Sequence, residues 1–132
     1  MASNVETVGA MYQAFQKGDI PAILAHLGAD CEWEHDTVDY GIPWLKPRVG
    51  PADIAHFFEG LAGIEFHAFE VRNLLSGGDQ VAAVIYIEAT VRATGKKVKD
   101  LEIHLWTFDE SGQATRFRHS LDTLQHQAAS VA

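Results

Sequence analysis

Three histidines stand in alternation with large apolar or acidic neighbours: Cys31, Trp33 and His35; Glu102, His104, Trp106 and Phe108; and Phe117, His119 and Leu121. On extended chain, residues two apart share a face, so each histidine is set among the apolar side chains of its own strand face. Imidazole titrates at about 6.5 without special tuning, which lets it donate and accept protons near neutrality. General acid/base chemistry in an apolar pocket is therefore open to His35, His104 and His119. Such assistance contributes roughly 100- to 10,000-fold, so binding and orientation must supply the rest of any catalysis. A hydrogen-bonded core histidine remains the ordinary alternative for each one taken alone.

The same faces carry aromatic groups suited to a flat or polycyclic ligand. Trp33, Trp106 and Phe117 flank the histidines, Trp44 and Tyr86 add further rings, and Tyr40, beside Gly41, is placed to act as a phenolic donor at a pocket mouth. Core packing accounts for these rings equally well. His67 alternates with Phe69 and Val71 and shares their face, whereas His26, His56 and His126 fall on helical or tail segments and are expected to face solvent. Asp122 has the opposite parity from His119 and joins Arg116 and Arg118, which predicts an ion pair; a bulge would turn it inward. Positions 35, 104 and 119 form no local metal-ligand motif, and neither a His-Glu-x-x-His nor a paired-cysteine pattern occurs. No phosphate-loop or dinucleotide glycine pattern is present either, so the expectation is no cofactor and no metal.

The elements that must position these residues can be read from apolar spacing. Ser3 and Glu6 have capping-box spacing ahead of Val5, Val8, Met11, Tyr12 and Phe15, a helix ending at Gly18. Asp19 caps a second helix with Pro21 in its first turn, and Gly28 ends it. A short strand is expected over 30–35, an ordered loop over 36–50, and a third helix from Pro51 with Ile54, Phe57, Phe58 and Leu61 on its apolar side. Strands over 65–75, 80–93, 97–108 and 114–124 follow, separated by Ser76-Gly77-Gly78-Asp79, Thr94-Gly95 and Asp109-Glu110-Ser111-Gly112. Adjacent strands so joined are antiparallel. Three helices and then a meander give an α+β fold with helices on one face of a curved sheet.

Composition narrows the partners. The 132 residues carry 10 Lys and Arg against 18 Asp and Glu, a net charge of -8, which opposes nucleic acid. The apolar run from Val81 to Ile87 is far below the roughly 20 residues of a membrane span. A single cysteine, Cys31, and an N-terminus without a basic start or apolar stretch place the protein in a reducing cytoplasm as an expectation. A chain of this length, with 47% apolar residues, is expected to form one domain over 1–132.

Five local patterns, in order, resemble the nuclear transport factor 2-like superfamily, and within it the SnoaL-like polyketide cyclase and ketosteroid isomerase-like branch. They are residues 12–19 (YQAFQKGD), 29–33 (ADCEW), Gly50 before the third helix, 78–81 (GDQV) and 112–118 (GQATRFR). The resemblance implies a cone-shaped, mainly antiparallel sheet of cystatin-like type, wrapped around a pocket, with three helices in the N-terminal half and commonly a homodimer. Counted without gaps, the proton-shuttling carboxylate of ketosteroid isomerases falls on His35 and the protonated acid of their oxyanion hole on His104. The partner tyrosine falls on Met11, with Tyr12 one residue away. The cyclase acid/base aspartate falls on His119.

These readings converge on a cofactor-independent isomerase or cyclase that moves protons on a small hydrophobic carbonyl substrate. His35 or His119 is the expected base and His104 the donor to a developing oxyanion, with Trp33, Tyr40, Trp106 and Phe117 binding the substrate. A non-catalytic ligand-binding or dimerisation module of the same fold is the rival, and an epoxide hydrolase the third possibility. Mixed exposed rows at Tyr86, Glu88, Thr90 and Arg92, and at Arg116, Arg118 and Ser120, predict a homodimer through the outer sheet face.

Overall fold

The structure is a computed structural model and describes residues 2–35 and 38–132. Ser3 accepts a hydrogen bond from the Glu6 amide while Glu6 reaches back to the Ser3 amide, and this capping box opens α1 (Asn4–Gln16). Asp19 accepts from the Ala22 amide and opens α2 (Ile20–Leu24). β1 (Leu27–Glu34) starts earlier than the alternation suggested, because Leu27 already pairs with Ala114. The segment read as a loop holds a 3-10 turn (Pro43–Leu45) and a two-residue strand, β2 (Arg48–Val49), paired with β1. Asp36 and Thr37, also in that loop reading, lie outside the described residues.

Gly50 joins β2 to α3 (Pro51–Gly60). Its φ of +82° favours glycine, and a side chain there would meet the Ala29 carbonyl oxygen at 2.9 Å. A second 3-10 turn (Leu61–Gly63) leads into β3 (Ile64–Gly77), β4 (Gln80–Val91), β5 (Lys97–Phe108) and β6 (Ala114–Ser120). The six strands form one unclosed sheet in the order β2-β1-β6-β5-β4-β3. All neighbours are antiparallel except β1 and β6, which run parallel. The expected α+β class with a curved, mainly antiparallel sheet is therefore the observed one.

Extra residues at His67 and Arg72 bulge β3 against β4, and such bulges bend a strand. The first also resets parity. Phe66 and Phe69, three apart, both reach the concave side, while His67 is exposed and bonds Thr90 Oγ1 at 2.8 Å. The expectation that His67 shares a face with Phe69 is thus corrected. β4 and β5 keep strict alternation, with Val81, Ala83, Ile85, Ile87, Ala89 and Val91 facing inward on one, and Val98, Asp100, Glu102, His104, Trp106 and Phe108 on the other. Helices α1 and α3 cover this face with Val8, Met11, Tyr12, Ile54 and Phe57. No helix among the described residues is long and apolar enough to cross a membrane.

The last strand was expected to run to Leu124. It ends at Ser120, and α4 (Thr123–Ser130) follows, with Asp122 as its cap accepting from the Gln125 amide. Capping, not an arginine ion pair, is what Asp122 does. Arg116 and Arg118 instead pair with Glu34 across the parallel strands, at 3.0 and 3.1 Å. Helix α4 also corrects the placement of His126, which is 4% exposed rather than solvent-facing.

Candidate functional site

The cupped strands and α1–α3 enclose a hollow with about 820 Å³ of space between atoms, its open mouth included. Its walls are largely apolar and aromatic. Of the seven residues singled out by sequence, five line it: His104, His119, Trp33, Trp106 and Phe117. Strand alternation explains this, since β1, β5 and β6 each turn the relevant face inward and His104 pairs directly with His119 across β5 and β6. Their rings lie 5.0 Å apart, nearly perpendicular. Trp33 stacks on Phe117 at 4.0 Å, and Trp106 meets Phe117 at 4.5 Å. The Trp33 indole nitrogen is buried and makes no hydrogen bond with the described residues.

His35 and Tyr40 are not part of that wall. His35 is buried just beyond the end of β1, with Nε2 2.8 Å from Thr123 Oγ1, and its ring lies 6.2 Å from that of Tyr40. Both sit toward the N-terminal end of α4. The alternation that puts Trp33 into the hollow carries His35 past its edge.

Sequence reasoning missed three participants. Tyr12 Oη lies 2.6 Å from His104 Nδ1 and accepts from the Trp106 indole N–H at 3.1 Å. Counting without gaps placed the family tyrosine on Met11; the hydroxyl that meets His104 is that of Tyr12, one residue on. Glu102 Oε1 lies 2.9 Å from His104 Nε2, and its other oxygen lies 3.4 Å from His126 Nε2. Glu102 shares a face with His104 and Trp106, a signal already present in the alternation. His126 comes from α4, was hidden by the mistaken strand, and also meets Asp100 Oδ2 at 3.0 Å and the Trp44 indole at 3.0 Å.

Proton positions follow from these partners. An indole nitrogen only donates, so Tyr12 Oη accepts from Trp106 and is free to send its own hydrogen to His104 Nδ1. In its neutral form His104 then carries its proton on Nε2 and donates it to Glu102. Both His104 nitrogens are thus engaged, and any donation from this pair to a ligand passes through the Tyr12 hydroxyl. His119 differs: no hydrogen bond from the described residues stabilises its ring, which is 8% exposed and lines the hollow.

Charge follows the same logic. Burial works against an ionised Glu102, but hydrogen bonds from His104 and His126, with nearby imidazole charge, outweigh it and hold its pKa far below the ordinary value. Burial first, then repulsion from His104, pushes His119 well below 6.5, while Glu102 pulls the other way. The Tyr12 phenol is driven up by burial and stays protonated. Burial also opposes charge on His126, yet the bonds and charges of Glu102 and Asp100 prevail and raise it. Ligand atoms of Glu102, His104 and His119 lie within 4.8 Å of one another, as do those of Asp100, Glu102 and His126, a spacing that could hold a cation. In both groups the carboxylates are already bonded to imidazole.

Residues 8–117 match the family model of the SnoaL-like domain. The chain belongs to that family. This SnoaL-like protein is similar to an NTF2-like protein from Burkholderia thailandensis, with 26% identity over the whole of both chains and a TM-score of 0.86. It is similar to TerC, co-crystallised with polyporic acid, with 26% identity over 96% of each chain and a TM-score of 0.78. A protein of ketosteroid isomerase-like fold from Catenulispora acidiphila, in complex with trimethylamine, shares 16% identity over 95% of this chain and 92% of its own, with a TM-score of 0.73. No curated protein sequence matches this chain.

A neutral buried His119 makes the SnoaL-like fold acid-sensitive. Unfolding lets its ring bind a proton that the folded state refuses, so its contribution is complete above about pH 6.5 and falls below it. In urea titrations, His119→Gln is expected to flatten the loss of stability between pH 6.5 and 5, with a difference from the parent of up to about 1.4 kcal/mol per pH unit. Parallel curves for parent and variant would contradict a neutral His119.

Proposed function

We propose that this SnoaL-like protein catalyses cofactor-independent proton transfer on a hydrophobic carbonyl compound, as an isomerase or cyclase. The observation that supports it is the pairing, in one apolar hollow, of a buried imidazole with no hydrogen-bonding partner among the described residues and a protonated phenol tied to an imidazole and a carboxylate. His119 takes the base role rather than His35, because His119 lines the hollow and His35 does not.

In this reading His119 removes a proton from the carbon next to the carbonyl, and the electron pair moves onto the carbonyl oxygen. The Tyr12 hydrogen turns from His104 to that oxygen and stabilises the developing charge. Glu102, whose oxygen lies within 4.8 Å of a His119 nitrogen, stabilises the imidazolium that forms. The same imidazolium returns the proton to another carbon, giving an isomer, or the enolate carbon attacks a second carbonyl, whose π electrons move onto its oxygen, and the imidazolium protonates that oxygen as the ring closes. Trp33, Trp106 and Phe117 hold the ligand by apolar and stacking contact. The co-crystal of TerC with polyporic acid supports aromatic carbonyl compounds as the class to test, with polyporic acid, whose quinone carbons carry no hydrogen, as the first probe of binding and enolisable ketones as probes of the reaction.

Exchange of protons beside a carbonyl for deuterium, followed by NMR, reads the first step without knowledge of the product. Across a panel of aromatic ketones and diketones, His119→Gln is expected to lower exchange by roughly 100- to 10,000-fold, and Tyr12→Phe to lower it while ligand affinity is retained. Binding without exchange in the parent protein would favour the non-catalytic module.

We also propose a homodimer through the outer sheet face. Leu101 and Ile103, side by side on that face of β5, are 54% and 37% exposed, and Leu75 adds a third apolar group at 54%. The parent is expected to sediment at about 29 kDa, twice 14.5 kDa, and Leu101→Glu at the mass of one chain. A parent that is monomeric at micromolar concentration would refute this contact.

A further inference from the structure

Five polar side chains form one run from the hollow into the chain's last helix: Tyr12, His104, Glu102, His126 and Asp100. Indole donors close it at two places. Trp106 donates to Tyr12 Oη near one end, and Trp44 donates to His126 Nδ1 near the other. Because indole nitrogen cannot accept, Nδ1 of His126 is held as an acceptor, and its remaining hydrogen sits on Nε2, facing Asp100 and Glu102. Glu102 thus receives the N–H of His104 from the side of the hollow, and from α4 a share of the His126 Nε2–H, which lies nearer Asp100 at 3.0 Å than Glu102 at 3.4 Å.

Helix α4 is fastened on several sides. The Asp122 amide donates to Asp100 Oδ2 at 3.0 Å, Gln125 bonds both the amide and the carbonyl of Lys99, and Thr94 Oγ1 donates to the Ala129 carbonyl at 2.7 Å. His35, left outside the hollow, bonds Thr123 at the start of the same helix. These bonds bring one α4 side chain to bear on the buried carboxylates. That side chain is His126.

We propose that His126 is a positioning residue of this site, which through Glu102 sets the orientation and charge balance of the imidazoles facing the hollow. Its ring borders the hollow, but its nitrogens are taken up by Trp44, Asp100 and Glu102, so it acts on the reacting groups through them, and α4 is by this reading part of the reaction site. Asp100 and Glu102 face His126 from β5, its charge acts on His119 of β6, and Trp44 caps it from the 3-10 turn. Two influences oppose each other there: the carboxylates favour an imidazolium, and the indole favours a neutral ring. Removing the indole and removing the imidazole should therefore move the neighbouring His119 in opposite directions.

The inference rests on the proton-transfer reading for its catalytic consequence only, and its physical content is testable without substrate. Side-chain NMR of the ligand-free full chain can follow His119 through a pH titration. In Trp44→Phe, His126 is released to take a second proton, and like charge is expected to move the His119 transition downward. In His126→Phe, Glu102 loses one donor and its charge acts more fully on His119, which is expected to titrate higher by about one pH unit, the effect of one nearby charge. His126→Gln, which keeps a donor but not the charge, is expected to give a smaller rise and serves if the phenylalanine variant does not fold. A His119 titration that is unchanged in Trp44→Phe and His126→Gln, or shifts the same way in both, overturns the positioning role. Opposite shifts in a protein that exchanges no protons would uphold that role and overturn the proton-transfer reading.

Discussion

The buried carboxylate of Glu102 constrains everything around it. Taking an ionised group out of water costs several kcal/mol unless its oxygens are met by donors, and removing one partner of such a group is commonly more damaging than losing an apolar contact. Two imidazoles meet this demand, His104 from the same strand and His126 from the chain's last helix. Each of those rings then needs a partner on its other nitrogen, which Tyr12 and Trp44 provide. One charge thereby ties together α1, β5, the 3-10 turn before β2, and α4.

That arrangement also explains how a polar cluster can border an apolar hollow with its own groups satisfied. Tyr12, Glu102, His104 and His126 satisfy one another and turn few unmet groups toward the cavity. His119 and the Trp33 indole are exceptions on the wall, and the neutrality of His119 follows from burial and from the imidazole beside it. A neutral imidazole, a protonated phenol and a nearby carboxylate are held by strands and a helix, the elements that best preserve geometry in a site. In the proposed reaction only the Tyr12 hydrogen has to turn as charge develops, while the heavy atoms that would stabilise it are already in place.

Much of this was legible in the chain. Alternation placed His104, Trp106, Phe117 and His119 correctly because β5 and β6 are regular where those residues lie. The turns at 76–79, 94–95 and 109–112 showed where the long strands break, and Ser3 with Glu6 showed where the first helix starts. What alternation could not show was long-range. The bulge at His67 changed parity through pairing with β4, which no local pattern records. His35 lay one step past the hollow because β1 ends at Glu34. The end of the chain misled most: Leu121 and Asp122 continue a strand-like alternation, while the cap at Asp122 and the short, weakly amphipathic segment after it carry the helix that brings in His126.

The most direct test of this account is the protonation state of Glu102 itself, read from the carbon-13 shift of its side-chain carboxyl as pH is lowered. The account predicts an ionised carboxylate that passes through pH 4.5 without a transition, for as long as the protein stays folded. A carboxyl that takes up its proton at pH 4.5 or above would contradict it, because the two imidazoles would then not be holding a charge between them.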